Sequence, residues 1–140
     1  MLAWWAIGQR DHARTQAAHA TALALENSVI TMGFGISHTV DTGDQMSLDA
    51  VARALKTYPM QRDELLRLTL DDPVQHRRVQ SINDAIDDYA VRWARPVLAL
   101  ARDEGRPGDL RGFVADVNAD GARSELDAIR RGFAHLFEQS

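Results

Sequence analysis

The stretch Asp72-Pro73-Val74-Gln75, continued by Val79, Ile82, Ile86, Tyr89, Trp93, Val97 and Leu100, decides the fold class. Asp72 suits an N-cap, Pro73 the first helical position, and Gln75 closes a capping box. Asp71 and Asp72 also complement the positive end of the helix dipole. From Gln75 onward the apolar positions step by three and four, the rhythm of a helix that buries one stripe against neighbours. Pro96 falls late in this run and predicts a bend. Gly105, followed by Pro107 and Gly108, predicts its end.

The same rhythm extends in both directions. Upstream, Thr15, Ala18, Ala22, Leu25, Val29, Met32, Ile36 and Val40 form one seam. Its alanine-rich start allows neighbouring backbones to come close, while Gly33 and Gly35 weaken the helix near its far end. Asp41-Thr42-Gly43-Asp44 reads as a turn, with Asp44 or Ser47 as the cap of the second helix. That helix carries Leu48, Val51, Leu55, Tyr58, Leu65, Leu66 and Leu68, and Pro59 inside it predicts a kink or a break. Downstream, Leu110, Phe113, Val114 and Val117 lead to Leu126, Ile129, Phe133, Leu136 and Phe137, with a small, polar middle around Gly121 and Ser124.

Four helices result, over residues 3–40, 47–70, 73–104 and 109–138 of a single domain spanning 1–140. The links near Asp71 and Arg106 are short, which forces antiparallel neighbours. The expected architecture is an all-α, elongated, up-down-up-down four-helix bundle. Thirty helical residues span roughly 45 Å, and both chain ends fall at the same end of the rod. A domain looped between two membrane spans requires that geometry.

Composition narrows the functional classes. The chain has 140 residues, 45% hydrophobic and 26% charged, with a formal net charge of -4 and no basic block, so nucleic acid is not an expected partner. It contains no cysteine, which excludes disulfides, thiolate chemistry and cysteine zinc sites within it. Met1-Leu2-Ala3-Trp4-Trp5-Ala6-Ile7 is apolar but much shorter than the ~20 residues that cross a bilayer. It lacks the basic start and small-residue cleavage site of a signal peptide. Two readings stay open for residues 1–8: the outer end of a transmembrane helix anchored by Trp4 and Trp5, or the buried start of the first helix.

No constellation predicts catalysis. None of Glu26, Glu64, Glu104, Glu125 and Glu138 has a histidine three residues later, which removes the di-iron carboxylate class. Ser28, Ser37, Ser47, Ser81, Ser124 and Ser140 lack a nucleophile-elbow setting. Gly33-Phe34-Gly35 follows no strand and is not a phosphate loop. His12 and His19 share a helix face that His135 can approach, but isolated, solvated histidines explain them better than a metal site. The same holds for haem held by Met46 or Met60 with His76. Asp84, Asp87 and Asp88 read as a solvated face in preference to a cation site, and Tyr89 with Trp93 as core in preference to a platform on which a ligand stacks. The expectation is therefore no catalytic residue, no metal, no cofactor and no assignable ligand residue. A stand-alone cofactor binder and a ligand-free dimerisation or spacer module remain as competing classes.

One segment carries a resemblance. Leu68-Thr69-Leu70-Asp71-Asp72-Pro73-Val74-Gln75, with Arg78, Val79, Ile82, Ile86, Tyr89 and Pro96, is similar to the third class of CHASE sensory domains. Asp72 stands where that family tends to have asparagine, and Tyr89 where it has tryptophan. Gly121-Ala122-Arg123 and Leu126-Asp127-Ala128-Ile129-Arg130, with Glu138, resemble its closing run. At the first turn only Thr42-Gly43-Asp44 of the family's pattern is kept, so the chain reads as a divergent member. The resemblance implies a non-catalytic periplasmic sensor between two transmembrane helices, homodimeric in the full receptor. Its output would be a kinase, foremost a histidine kinase, a cyclase or a chemotaxis module. The stimulus would be a small ligand or a partner protein.

Overall fold

The computed structural model describes residues 2–42, 45–102, 112 and 121–138. Among them there is no strand. Helix α1 runs over Leu2–Thr42, α2 over Gln45–Leu68 and α3 over Pro73–Tyr89; a π turn, Ala90–Ala94, joins α3 to α4, Arg95–Arg102, and α5 covers Ala122–Leu136. Because α3, the π turn and α4 follow one another without interruption, the chain is an all-α four-helix bundle.

Side-chain pairs fix the antiparallel register. Between α1 and α2, Arg14 faces Asp71 just beyond α2, Ser28 faces Gln61, and Gly35 faces Val51. Between α3 and α5, Arg78 meets Leu136, Ile82 meets Gly132, and Trp93 meets Gly121. Between α1 and α5, His19 lies on Phe137 and Gly33 on Leu126. Within the described residues the most extensive packing is α1 on α2, followed by α3 on α5.

The seam read from spacing is the core. Leu25, Val29, Met32 and Ile36 of α1, Leu65 of α2, Val79, Ile86 and Val97 of the third rod, and Ile129 and Leu136 of α5 are almost fully shielded from solvent. Thr15, at the start of the seam, is exposed instead, on the wall of an opening that α1 shares with the α2–α3 turn. Burying each such aliphatic side chain contributes about 1.5–3 kcal/mol, so the interlocked seams outweigh local helix weaknesses.

Those weaknesses are met in two ways. No break occurs at Pro59: α2 continues through it to Leu68. The roughly 3 kcal/mol that an interior proline costs is offset by flanking Leu55, Tyr58 and Leu65, all buried. Pro96 follows the wide turn instead. Arg95 donates its backbone N–H to the Ala90 carbonyl, five residues back. That widened turn eases the crowding between a proline ring and the preceding carbonyls. Asp72 caps α3 as read from sequence, its carboxylate accepting from the Gln75 N–H at 3.2 Å, but Gln75 does not close the box, because the Asp72 N–H donates to the Thr69 carbonyl at 3.0 Å.

Gly43 and Asp44, the region of Gly105, Pro107 and Gly108, and the seam positions Leu110, Phe113, Val114 and Val117 lie outside the described residues. Trp4 and Trp5 fall within α1, but their side chains also lie outside what is described.

Candidate functional site

The end of the bundle that carries the start of α1 and the finish of α5 holds most of the polar chemistry. The α2–α3 turn sits there because α2 stops at Leu68 and α3 starts at Pro73. Thr69 ends α2 by folding its hydroxyl back to the Leu65 carbonyl at 3.1 Å, while its own N–H donates to Leu66. Arg78, one turn and a half into α3, reaches across to α5. Its Nη1 donates to the carbonyl oxygens of His135, Leu136 and Glu138, at 3.2, 3.4 and 3.0 Å. A cavity of about 660 Å³ opens between these groups and α1, lined in part by Arg14, His19, Asp72 and Gln75.

A second opening lies beside it, between α1 and α5. This groove, about 760 Å³, has an apolar floor of Ala22, Phe133 and Phe137 and a charged rim that includes Glu26 and Arg130. Its volume falls in the range of small-molecule sites, roughly 300–1,000 Å³. His19 forms one wall and stacks on Phe137 with ring centroids 3.8 Å apart.

The histidines do not converge. His135 Nδ1 lies 2.8 Å from the Glu138 carboxylate, and His76 Nδ1 is 3.3 Å from the Thr69 hydroxyl. His12 and His38 are exposed on α1. Among the described residues no three histidine, aspartate or glutamate side chains gather as metal ligands.

The acidic patch on α3 resolves into separate contacts. Asp87 pairs with Arg62 and accepts from the Tyr58 hydroxyl at 3.2 Å. The Arg62 guanidinium also lies over the Tyr58 ring, 5.7 Å from its centroid. Asp88 pairs with Arg92 at 3.3 Å. Burial, and then the Asp87 carboxylate, raise the Tyr58 hydroxyl above the ordinary tyrosine range. Tyr89 is core, and its pKa is pushed up to about 12, first by burial and then by Glu125. Trp93 is half-buried and donates its indole N–H to Glu125 at 3.1 Å; the same carboxylate accepts from Arg92 at 2.8 Å.

Sequence reading singled out Arg78 only through the family resemblance, and it did not find the groove. Arg78 meets groups 57 to 60 positions away in the chain, a separation that helical periodicity does not address. Phe133 and Phe137 were visible as an apolar pair four apart. Their partner across the gap, His19, was not.

The comparisons agree with this architecture. The model of the CHASE3 domain family matches residues 9–140. No curated protein matches the chain, and no solved structure does. CHASE3 domains are sensory, non-catalytic modules of signalling receptors. With an all-α bundle and a family match over nearly its whole length, this chain belongs to the CHASE3 domain family.

Proposed function

We propose that this chain is the extracytoplasmic sensor domain of a membrane-bound bacterial receptor, foremost a histidine kinase, and that it relays its stimulus through α1 and α5. One observation carries the reading: His19, early in α1, lies against Phe137, at the finish of α5. The two helices nearest the chain ends therefore run side by side at one end of the bundle, where flanking transmembrane helices would receive any shift between them. No helix among the described residues is itself long and apolar enough to cross a membrane.

A small ligand or partner protein seated in the α1–α5 groove would act by differential binding. It favours whichever relative placement of the two helices it contacts better, and it moves the equilibrium only by that difference in affinity. In the whole receptor we expect a homodimer held to the membrane by flanking spans.

The chain has no cysteine, which makes the placement easy to test. Gln16→Cys in the full receptor should react with a membrane-impermeant maleimide in cells whose inner membrane is intact. Labelling seen only after the inner membrane is ruptured would put the domain in the cytoplasm and end this reading. Disulfide trapping between copies, using cysteines introduced along α1, tests the dimer.

A further inference from the structure

The residues around the α2–α3 turn are linked to all four rods at once. Thr69 closes α2 and Asp72 opens α3 through their own helix ends. Asp71, between them, pairs with Arg14 of α1. Arg78 carries the connection on to α5, donating to three carbonyls at its finish. The last carbonyls of a helix have no partner within it and carry the negative end of its dipole. The His135 carbonyl already accepts from the Glu138 N–H at 3.2 Å; the Arg78 guanidinium adds a second donor there, supplies one to Leu136, and complements the dipole.

We propose that Arg78 and the Asp71–Arg14 pair form a latch that holds α1 and α5 in one axial register at the end of the bundle that carries the start of α1 and the finish of α5. Stimulus moves the equilibrium between latched and released arrangements. The proposal rests on the sensor reading above for its signalling role, but the latch itself is a property of this chain.

The two halves of the latch differ in strength. Arg14 and Asp71 are exposed, with 47% and 76% of their side chains accessible, and an ion pair of that kind contributes little. It is the side that yields first. Arg78 makes charge-assisted bonds to a helix end, which are roughly twice as strong as neutral ones. The stack of His19 on Phe137 lies directly beside it. Any sliding of α5 along α1 must therefore move Phe137 off His19 while Arg78 still holds the neighbouring carbonyls, or must release Arg78. Both arrangements keep the buried seam of Ile82, Ile86 and Ile129 intact, because those residues lie a turn or more inside the bundle.

The test uses paired spin labels on introduced cysteines, which the cysteine-free chain permits. One pair, at Gln16 and Ala134, reports the latched end. A second, at Phe34 and Arg123, reports the opposite end. Arg78→Ala should broaden or shift the first distance distribution and leave the second unchanged. Amides in the last turn of α5 should exchange faster by about tenfold or more. Arg78→Lys, which keeps the charge on a shorter side chain with a differently shaped head group, should fall between. Asp71→Asn should reproduce a weaker form of the same local change. A purely stabilising role would instead lower the melting temperature and loosen both ends together, or neither. A narrow first distribution in folded Arg78→Ala protein overturns the latch, whatever the receptor does. If the domain loosens but Arg78→Ala in the full receptor leaves output unaltered, the relay through α1 and α5 is what fails, and the latch's regulatory role falls with it.

Discussion

Gly35 of α1 and Val51 of α2 approach so closely that a Cβ at position 35 would fall inside the Val51 γ-methyl group and 3.2 Å from the Ser47 carbonyl oxygen. The glycine costs α1 helix propensity, about 1 kcal/mol against alanine, but it lets the two helix backbones approach. Gly35→Ala should therefore destabilise the bundle despite the better helix former, by about 1–3 kcal/mol of overpacking. Gly33→Ala should cost less. Its added methyl meets Leu126 Cδ2 at 2.7 Å, the far end of a flexible side chain rather than backbone. Thermal unfolding by circular dichroism ranks the two, and a more stable Gly35→Ala protein would refute the close-approach account.

Asp87 is the shared partner of a cation and a phenol. Removing it as Asp87→Ala leaves Arg62 without its cross-helix partner and the buried Tyr58 hydroxyl without the acceptor it now uses. A loss of about 1–3 kcal/mol is expected. Asp84→Ala, on the exposed face of the same helix, should change stability by less than about 0.5 kcal/mol. Denaturant midpoints compared at constant slope will show whether the two aspartates differ in this way.

Alkaline stability follows from Tyr89. Its folded-state pKa of about 12 lies above the ordinary tyrosine value of 10.0. The folded state therefore keeps a proton that the unfolded chain releases. Its contribution is complete below pH 10 and is lost as pH rises towards 12, on the order of 2–3 kcal/mol in all. Tyr58 shifts in the same direction. Tyr89→Phe should flatten the decline of unfolding free energy across that window. A decline of undiminished slope in that variant would assign it to other groups.

The seams of α1, α2 and the third rod were legible because burial in a bundle repeats every three or four residues. Ala18, Ala22, Leu25, Val29, Met32 and Ile36 all proved buried, as did Val79, Ile82, Ile86, Tyr89 and Val97. The Asp72 cap was equally local. The break allowed at Pro59 does not occur, because a proline's cost is local, whereas the packing that overrides it comes from other helices. The glycines were legible as weak points but not as contact points, since nothing in α1 alone says that Val51 will face Gly35. Arg78 and the α1–α5 groove depend on register between rods far apart in the chain. Only the folded bundle brings them together.

Pro96 supplies a prediction at the level of the receptor. With alanine there, the backbone regains an N–H, and the wide turn at Ala90–Ala94 can tighten to ordinary α geometry. Each residue of an α-helix turns by about 100°, so tightening would rotate α4 relative to the core beneath it. Pro96→Ala in the full receptor should change basal output or the response to stimulus. Identical output and response would mean that the wide turn is only an accommodation of the proline.

The unequal packing among the rods has a mechanical consequence. Within the described residues α1 is bound most extensively to α2, and α3 to α5. α1 is therefore carried by α2 and only touched by α5. A shift of α5 along α1 leaves the α1–α2 packing in place, so the last helix can change its level on a first helix that stays anchored to its neighbour.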